Sequence, residues 1–173
     1  NPWGPEVPSI AVNHAYDSRR NSHSPDGGGM SMGADSFAAV PAAARIEEAL
    51  QEVRSSCAYP EKIKILELDL GNNSMLEEKV ETAIAYFGRI DILINNAGIS
   101  QRSLVSETVI EVDRRIFEVN YFGTIALSRA LLQHFKENKR GHFVVISSVV
   151  GKIGTPLRSS YSASKHALHG FFD

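Results

Sequence analysis

Hydrophobic residues along the chain follow two different patterns. In some segments they recur at every third or fourth position, which is typical of one face of an amphipathic helix. This spacing predicts helices over residues 43–56, 74–87, 112–137 and 159–172. In other segments they form short apolar runs rich in β-favouring residues, which predicts strands over residues 63–70, 90–94 and 142–148. Helices and strands therefore alternate along the chain.

Residues that start or stop helices lie near the predicted boundaries. Pro60 ends the first helix, and Gly88 and Gly141 end the second and third. Ser74-Met75-Leu76-Glu77 has the spacing of a capping box, in which the serine and glutamate side chains satisfy amide groups of the first turn. The fourth predicted helix runs to the end of the sequence without a stop signal.

The alternation predicts an α/β fold. Strands that are apolar almost throughout are buried on both faces, and helices between them indicate a parallel sheet covered on both sides. Such sheets bind ligands at the carboxyl ends of their strands. The residues at those ends are Asp69, Asn95-Asn96-Ala97-Gly98, Ser147 and Ser148.

The first 42 residues differ from the rest of the chain. Five of the seven prolines lie there, together with Gly27, Gly28, Gly29 and Gly33, and hydrophobic positions show neither helical nor strand spacing. This composition predicts a disordered segment over residues 1–42. The regular pattern occupies residues 43–173.

Composition and charge exclude several classes of protein. The net charge is -2 and the predicted pI about 6.3, so no basic field favours nucleic acid or anionic lipid. One cysteine excludes a disulfide framework and a CxxC metal site, and His166 and His169 lack a third ligand nearby, so we expect no metal. No apolar run approaches the ~18 residues of a membrane span, so we expect this chain to be soluble.

Tyr161 and Lys165 lie four residues apart at the start of the last predicted helix, so their side chains share one face. An ammonium ion close to a tyrosine stabilises its phenolate, and such a tyrosine exchanges protons near neutral pH. A solvent-exposed pair without a catalytic role has the same spacing. Ser148 favours the catalytic interpretation, because a hydroxyl at the end of a strand is placed to bond a carbonyl that Tyr161 protonates. The alternative is a serine that starts a loop.

Three further sites carry polar groups with two interpretations each. The Asn95–Gly98 stretch is either a ligand platform of small residues or an ordinary turn. Asn120 lies on an apolar helical face, where an amide is either a structural bridge or part of a polar relay. Asp69 either accepts from an adenine amino group or caps the next turn.

In this order and at these separations, these residues resemble the motifs of the short-chain dehydrogenase/reductase (SDR) family. The stretches NNAGISQRSL and YSASKHALHGFF look like the branch of SDR members 7 and 7B. The resemblance covers about residues 43–173. It implies the middle of a Rossmann-like, doubly wound parallel sheet, without the first βαβ unit and the carboxyl-terminal strands.

The resemblance also implies roles for single residues. Tyr161 would be the general acid/base and Lys165 would support it and bond the nicotinamide ribose. Ser148 would polarise the substrate carbonyl, and Asn120 would hold a water of the proton relay. The implied cofactor-binding set is Asp69, Leu70, Asn96, Ala97, Gly98, Tyr161 and Lys165.

The implied function is NAD(P)-dependent reduction of a carbonyl, or oxidation of a hydroxyl, on a small lipophilic substrate. NADP is expected over NAD because Arg45 resembles the arginine that follows the second strand in NADP users of the branch, although a solvated arginine fits equally. The alternative function is an inactive SDR that acts as a binding or oligomerisation partner. A homo-oligomer through the long helices and a location at the endoplasmic reticulum membrane are also implied.

The sequence departs from the family at its phosphate-binding turn. The family has TGxxxGxG after a first strand, whereas here Gly29 and Gly33 have the GxxxG spacing but Asp35 stands where the last glycine belongs. We therefore expect a linker rather than a phosphate loop. We also expect the sequence to be a truncated domain with an exposed sheet edge, weak NAD(P)H binding and little turnover.

Overall fold

A computed structural model describes residues 9–12, by their backbone, and residues 50–173. Within these, residues 9–12 and 66–173 form one compact unit and residues 50–65 belong to another. In the smaller unit, residues 50–56 are helical and Pro60–Lys62 form a 3-10 turn. The predicted helix over 43–56 is thus confirmed for residues 50–56, while residues 43–49 lie outside the described residues.

The larger unit contains a parallel sheet of three strands. They are β1 (Ser9–Val12), β2 (Ile92–Asn95) and β3 (His142–Val145), in the spatial order β1-β2-β3. Ile92 of β2 lies opposite Ser9 on one side and opposite His142 on the other. The parallel α/β arrangement is confirmed. In the described sheet β2 is paired on both sides and β1 and β3 are the edges, and the expected exposure of an edge that belongs near the centre of the sheet stays a prediction.

β1 lies within the segment for which the sequence predicts no regular element. Its four residues, Ser-Ile-Ala-Val, are too few for the periodicity to show, and pairing with β2 makes them a strand. Residues 13–49, which include the glycine cluster and Arg45, lie outside the described residues. The domain boundary at residues 42 and 43 stays a prediction.

The strand predicted over residues 63–70 was wrong. In the described part of the chain, residues 63–69 have no regular secondary structure, and Leu70 begins a turn. Leu66, Leu68 and Leu70 still direct their side chains toward the core. Burial of these side chains does not require a neighbouring strand, whereas a β-ladder does, so the apolar, β-favouring composition misled the prediction.

Four α-helices follow in the larger unit. They are α1 (Leu76–Phe87), α2 (Ile110–Phe117), α3 (Thr124–Glu137) and α4 (Ser159–Phe172). Gly88 ends α1 as predicted, with a φ of 76° that favours glycine and an amide that donates to the Ile84 carbonyl at 2.7 Å. The capping box was wrong, because a 3-10 turn, Asn73–Met75, precedes α1 and Met75 occupies its N-cap.

The long helix predicted over 112–137 is interrupted by a π turn, Glu118–Gly123, between α2 and α3. The π turn contains Asn120 and ends at Gly123, which packs directly on the Leu70 backbone. π turns inside helices are frequent at functional sites. The hydrophobic periodicity continues through the turn, so the pattern gave no sign of it.

The core lies between the sheet and the helices, and α1 packs on α3. Its most buried side chains come from the sheet, the helices and the turns that join them: Leu70, Leu76, Ile90, Leu93, Ile116, Val119 and Leu131. At the amino end of β2, the buried carboxylate of Asp91 pairs with Arg89 at 3.0 Å and with Arg140 at 3.1 Å. These pairs join the starts of β2 and β3.

Gly123→Ala is expected to destabilise the larger unit by about 1–3 kcal/mol, as overpacking commonly does. A Cβ at this position would lie 2.1 Å from the Leu70 carbonyl oxygen, and a backbone atom gives way less easily than a side chain. Urea unfolding followed by circular dichroism measures the change. Gly170→Ala on α4 is the control, since its Cβ would meet nothing within 4 Å. Equal stability of the two variants would contradict the tight contact.

Candidate active site

Two loops and one helix form the candidate site. One loop follows the carboxyl end of β2 and includes residues 96–103, and the other follows β3 and includes residues 146–151. Helix α4 presents Tyr161 and Lys165 beside them. This is the end of the sheet at which α/β proteins bind ligands.

Asn120 joins the first loop to the helices. Its Oδ1 accepts from the Ile99 amide at 2.7 Å, and its Nδ2 donates to the Ile99 carbonyl at 2.9 Å and to Ser164 Oγ at 3.0 Å. The residue is completely buried. The amide is thus a structural bridge, one of the two interpretations made from the sequence, and its role in a polar relay stays a prediction.

Lys165 is buried, with only 4% of its surface exposed. Its Nζ donates to the Ile146 carbonyl at 2.8 Å, in the second loop. Burial disfavours the charged form and lowers the pKa of Lys165 below its ordinary value of 10.5. The site therefore holds a poorly solvated ammonium group, which interacts more strongly with neighbouring charge than a surface lysine does.

Gly98 separates Lys165 from Asn120. A Cβ on Gly98 would lie 3.2 Å from Asn120 Oδ1 and 3.5 Å from Lys165 Nζ. Both polar groups thus approach the same point of the backbone. A Cβ at this position would be tight against Asn120 Oδ1 and in ordinary contact with Lys165 Nζ, so glycine leaves the most room for both groups.

Tyr161 is half-buried in the first turn of α4. Lys165 Nζ lies 5.9 Å from the centroid of its ring, and the Arg158 guanidinium lies 5.7 Å from the same centroid. The shared helix face predicted for Tyr161 and Lys165 is confirmed by this distance. Two cationic groups therefore face the Tyr161 ring.

Ser148, in the second loop, has an extended backbone conformation and is the N-cap of the 3-10 turn Val149–Gly151. Its Oγ accepts from the Val150 amide at 3.4 Å, so the hydroxyl proton is available to donate to another group. The neighbouring Ser147 Oγ donates to the Lys165 carbonyl at 3.3 Å. This bond fixes the loop that carries Ser148 against the helix that carries Lys165.

The residues predicted to bind the cofactor differ in accessibility. Asn96 and Asp69 are exposed, Gly98 is half-buried and Ala97 is buried. Asp69 Oδ1 accepts from the Gly71 amide at 2.8 Å, which is the turn-capping role, and lies 3.8 Å from Arg115. Leu70 as a whole is 2% exposed and belongs to the core, so it offers almost no surface to a ligand in this structure.

Sequence reasoning missed Gln101 and Ser164. Ser164 Oγ donates to the Tyr161 carbonyl at 2.8 Å and accepts from Asn120, and Gln101 Oε1 accepts from the Tyr161 amide at 3.1 Å. Position i+3 from Tyr161 was a signal for Ser164. For Gln101 the sequence carried no signal, because its partner lies 60 residues away.

The two histidines of α4 make local contacts. His166 Nδ1 lies 2.8 Å from the Ser162 carbonyl, and His169 Nδ1 lies 3.2 Å from Asp173. In the part of the chain that the structure describes, no three His, Cys, Asp or Glu side chains come together as metal ligands. A search of the same residues finds no helix that is both long and apolar enough to cross a membrane.

Comparison with known proteins agrees with this geometry. The family model described as short chain dehydrogenase matches residues 29–173. A curated relative, dehydrogenase/reductase SDR family member 7B of Rattus norvegicus, is 50% identical over 109 residues, covering 63% of this chain and 34% of the relative. Member 7 of Homo sapiens is 42% identical over 139 residues, covering 78% of this chain and 41% of the relative.

Solved structures show the same fold. "ElxO with NADP Bound" has a TM-score of 0.67 and 32% identity, with 73% of this chain and 51% of that chain covered. A short-chain dehydrogenase from Streptomyces avermitilis has a TM-score of 0.65 and 35% identity, with 72% and 45% covered.

The chain belongs to the short-chain dehydrogenase family of oxidoreductases, with a Rossmann fold. Its curated relatives place it in the branch of members 7 and 7B. It spans 34% and 41% of the lengths of the two relatives described.

Lys165→Met is expected to change how stability depends on pH. Between the lowered pKa of Lys165 and its ordinary value of 10.5, the unfolded chain holds a proton that the folded protein has released, so wild-type stability rises with pH. The variant lacks this contribution. Its free energy of unfolding relative to wild type is therefore highest at neutral pH and falls as the pH approaches 10.5.

Urea unfolding at a series of pH values measures this difference. Loss of the bond to Ile146 adds a constant that does not depend on pH. Lys136→Met, on the exposed surface of α3, is the control for removing a surface charge. If the difference in free energy of unfolding between Lys165→Met and wild type stays the same across the whole pH range, burial does not lower the pKa of Lys165.

Proposed function

We propose that the protein is an NAD(P)-dependent oxidoreductase in which Tyr161 is the general acid/base. The observation that carries this proposal is the arrangement of Tyr161, buried Lys165 and Ser148 at the carboxyl ends of β2 and β3. A half-buried phenol beside a buried lysine can exchange its proton with a substrate oxygen, which is the role of a general acid/base.

The donor set fits a nicotinamide cofactor. Lys165 Nζ has three protons and uses one on the Ile146 carbonyl, which leaves donors for ribose hydroxyls. Half-buried Gly98 has no side chain, so a flat ligand can approach the loop backbone there, with buried Ala97 next to it, and the exposed Asp69 carboxylate would accept from an adenine amino group. When bound, the cofactor supplies or takes up the hydride.

The protein's own residues handle the proton and the carbonyl. In reduction, Ser148 donates a hydrogen bond to the carbonyl oxygen and Tyr161 transfers its phenolic proton to that oxygen as the carbon receives the hydride. In oxidation, the phenolate takes the hydroxyl proton. Lys165 stabilises the phenolate by its charge, and Asn120 Oδ1 with Lys165 Nζ would hold a relay water beside Gly98.

Cofactor and substrate preferences are part of the proposal. NADP over NAD is supported by the neighbour "ElxO with NADP Bound". A lipophilic substrate is supported by apolar side chains in the two loops, including Val149 and Val105, which are 78% and 74% exposed. Measuring binding of NADPH and NADH by their fluorescence tests the first preference.

Assembly and location complete the proposal. A homo-oligomer through α3 and α4 is supported by exposed apolar side chains on the π turn and on these helices: Phe122, Leu132 and Phe171. The location at the endoplasmic reticulum membrane follows from the resemblance to members 7 and 7B. Both are proposals for the protein that contains this sequence.

Tyr161→Phe is expected to lower kcat for NADPH-dependent carbonyl reduction by about 100-fold or more, as loss of a general acid does. The measurement is the decrease in NADPH absorbance with a panel of lipophilic ketones and aldehydes. Ser148→Ala is expected to lower kcat by about 100-fold, since one hydrogen bond to the developing charge is lost.

Tyr86→Phe, an exposed tyrosine of α1, is the matched control and should behave as wild type. Wild-type rates in Tyr161→Phe would exclude the proposed mechanism. Cofactor binding without turnover of any substrate would favour the alternative, an inactive SDR that acts as a binding partner.

A further inference from the structure

Gln101 lies in the segment that leaves β2, residues 99–103, called here the β2 exit segment. It is 8% exposed. Its Oε1 accepts from the Tyr161 amide at 3.1 Å, and its Nε2 donates to Ser159 Oγ at 3.3 Å. Both ends of a buried amide therefore bond the first turn of α4.

The first turn of α4 needs an acceptor from elsewhere. The first amides of a helix have no carbonyl partner within it, and an N-cap side chain such as Ser or Asp commonly accepts from the third one. In α4 the N-cap is Arg158, whose guanidinium carries only donors. The third amide is that of Tyr161, and Gln101 supplies the missing acceptor from 60 residues away.

The peptide groups of Tyr161 are held on both sides. While Gln101 accepts from its amide, its carbonyl accepts from Ser164 Oγ at 2.8 Å. Ser164 is in turn bonded by Asn120, which also bonds both backbone groups of Ile99. Two sets of hydrogen bonds thus connect the backbone of Tyr161 to the β2 exit segment, one through Gln101 and one through Ser164 and Asn120.

Two more hydrogen bonds join the β2 exit segment to the start of α4. Arg158 Nη1 donates to Ser100 Oγ at 2.8 Å, and the Ser103 amide donates to the Leu157 carbonyl at 3.1 Å. Arg158 also faces the Tyr161 ring. Any displacement of this segment would therefore be transmitted to the phenol.

We propose that Gln101 is a positioning residue: by capping α4 from another segment, it sets where the Tyr161 phenol lies relative to Lys165 and Ser148. The inference rests on the proposed function of Tyr161. A misplacement of about 1 Å at a reacting group is sufficient to cost a large part of the rate. Gln101 touches the helix backbone and acts on the reaction only through Tyr161.

Gln101→Leu and Gln101→Glu test the proposal. Leucine fills similar space without an acceptor, so we expect kcat to fall about tenfold while KM for NADPH stays within about twofold. Glutamate keeps an oxygen for the Tyr161 amide, and its charge is favourable at a helix amino terminus, so we expect kcat close to wild type. Ser159→Ala removes only the partner of Nε2 and is the control.

Amide hydrogen exchange measured by NMR gives a readout that does not require turnover. In Gln101→Leu the Tyr161 amide should exchange about fivefold faster, as expected for a lost cap, whereas in Gln101→Glu it should remain protected. The amide of Leu168, a buried residue further along α4, serves as the internal reference.

The outcomes distinguish the positioning role of Gln101 from the proposed function of the protein. Wild-type kcat in Gln101→Leu, an equal loss in Gln101→Glu, or an unchanged Tyr161 exchange rate would each overturn the positioning role. Wild-type rates of carbonyl reduction in Tyr161→Phe would instead overturn the proposed function, and the exchange rates would then decide the capping contact by themselves.

Discussion

The hydrogen bonds of the Asn120 side chain are the constraint on which the site depends. An amide with no exposed surface must find protein partners, because leaving its polar atoms unpaired in the interior costs more than each bond contributes. Asn120 finds them in the backbone of Ile99 and in Ser164. In this way a residue of the helical layer holds the loop after β2 and the helix that carries Tyr161 and Lys165.

Other features of the site are consistent with this constraint. The helix changes to a π turn where Asn120 lies, and Gly123 lets that turn approach the Leu70 backbone. Gly98 leaves room for Asn120 Oδ1 and Lys165 Nζ at one point of the loop. A Cβ at position 123 would overlap the Leu70 backbone, whereas one at position 98 would only crowd Asn120 Oδ1. The buried polar groups then have defined places, which a catalytic arrangement needs.

Elements that depend on local side-chain spacing could be predicted, and those that depend on distant partners could not. The helix over 159–172 and the stop at Gly88 follow from neighbouring residues, and both are present. The apolar run at 63–70 has the composition of a strand, but composition does not supply the neighbouring strand that a ladder needs. β1, in contrast, is a strand because its backbone pairs with β2.

For the site, the sequence by itself determined the chemical groups: a tyrosine and a lysine four residues apart, a serine after a strand, and an asparagine on an apolar helix face. The spacing of the tyrosine and the lysine along one helix is a local property, and the structure has the same arrangement. Only the tertiary structure decided that Lys165 is buried, that the cap of α4 comes from Gln101, and that Leu70 faces the core. Burial and hydrogen bonding between distant segments exist only once the chain has packed, and for that reason no local pattern encodes them.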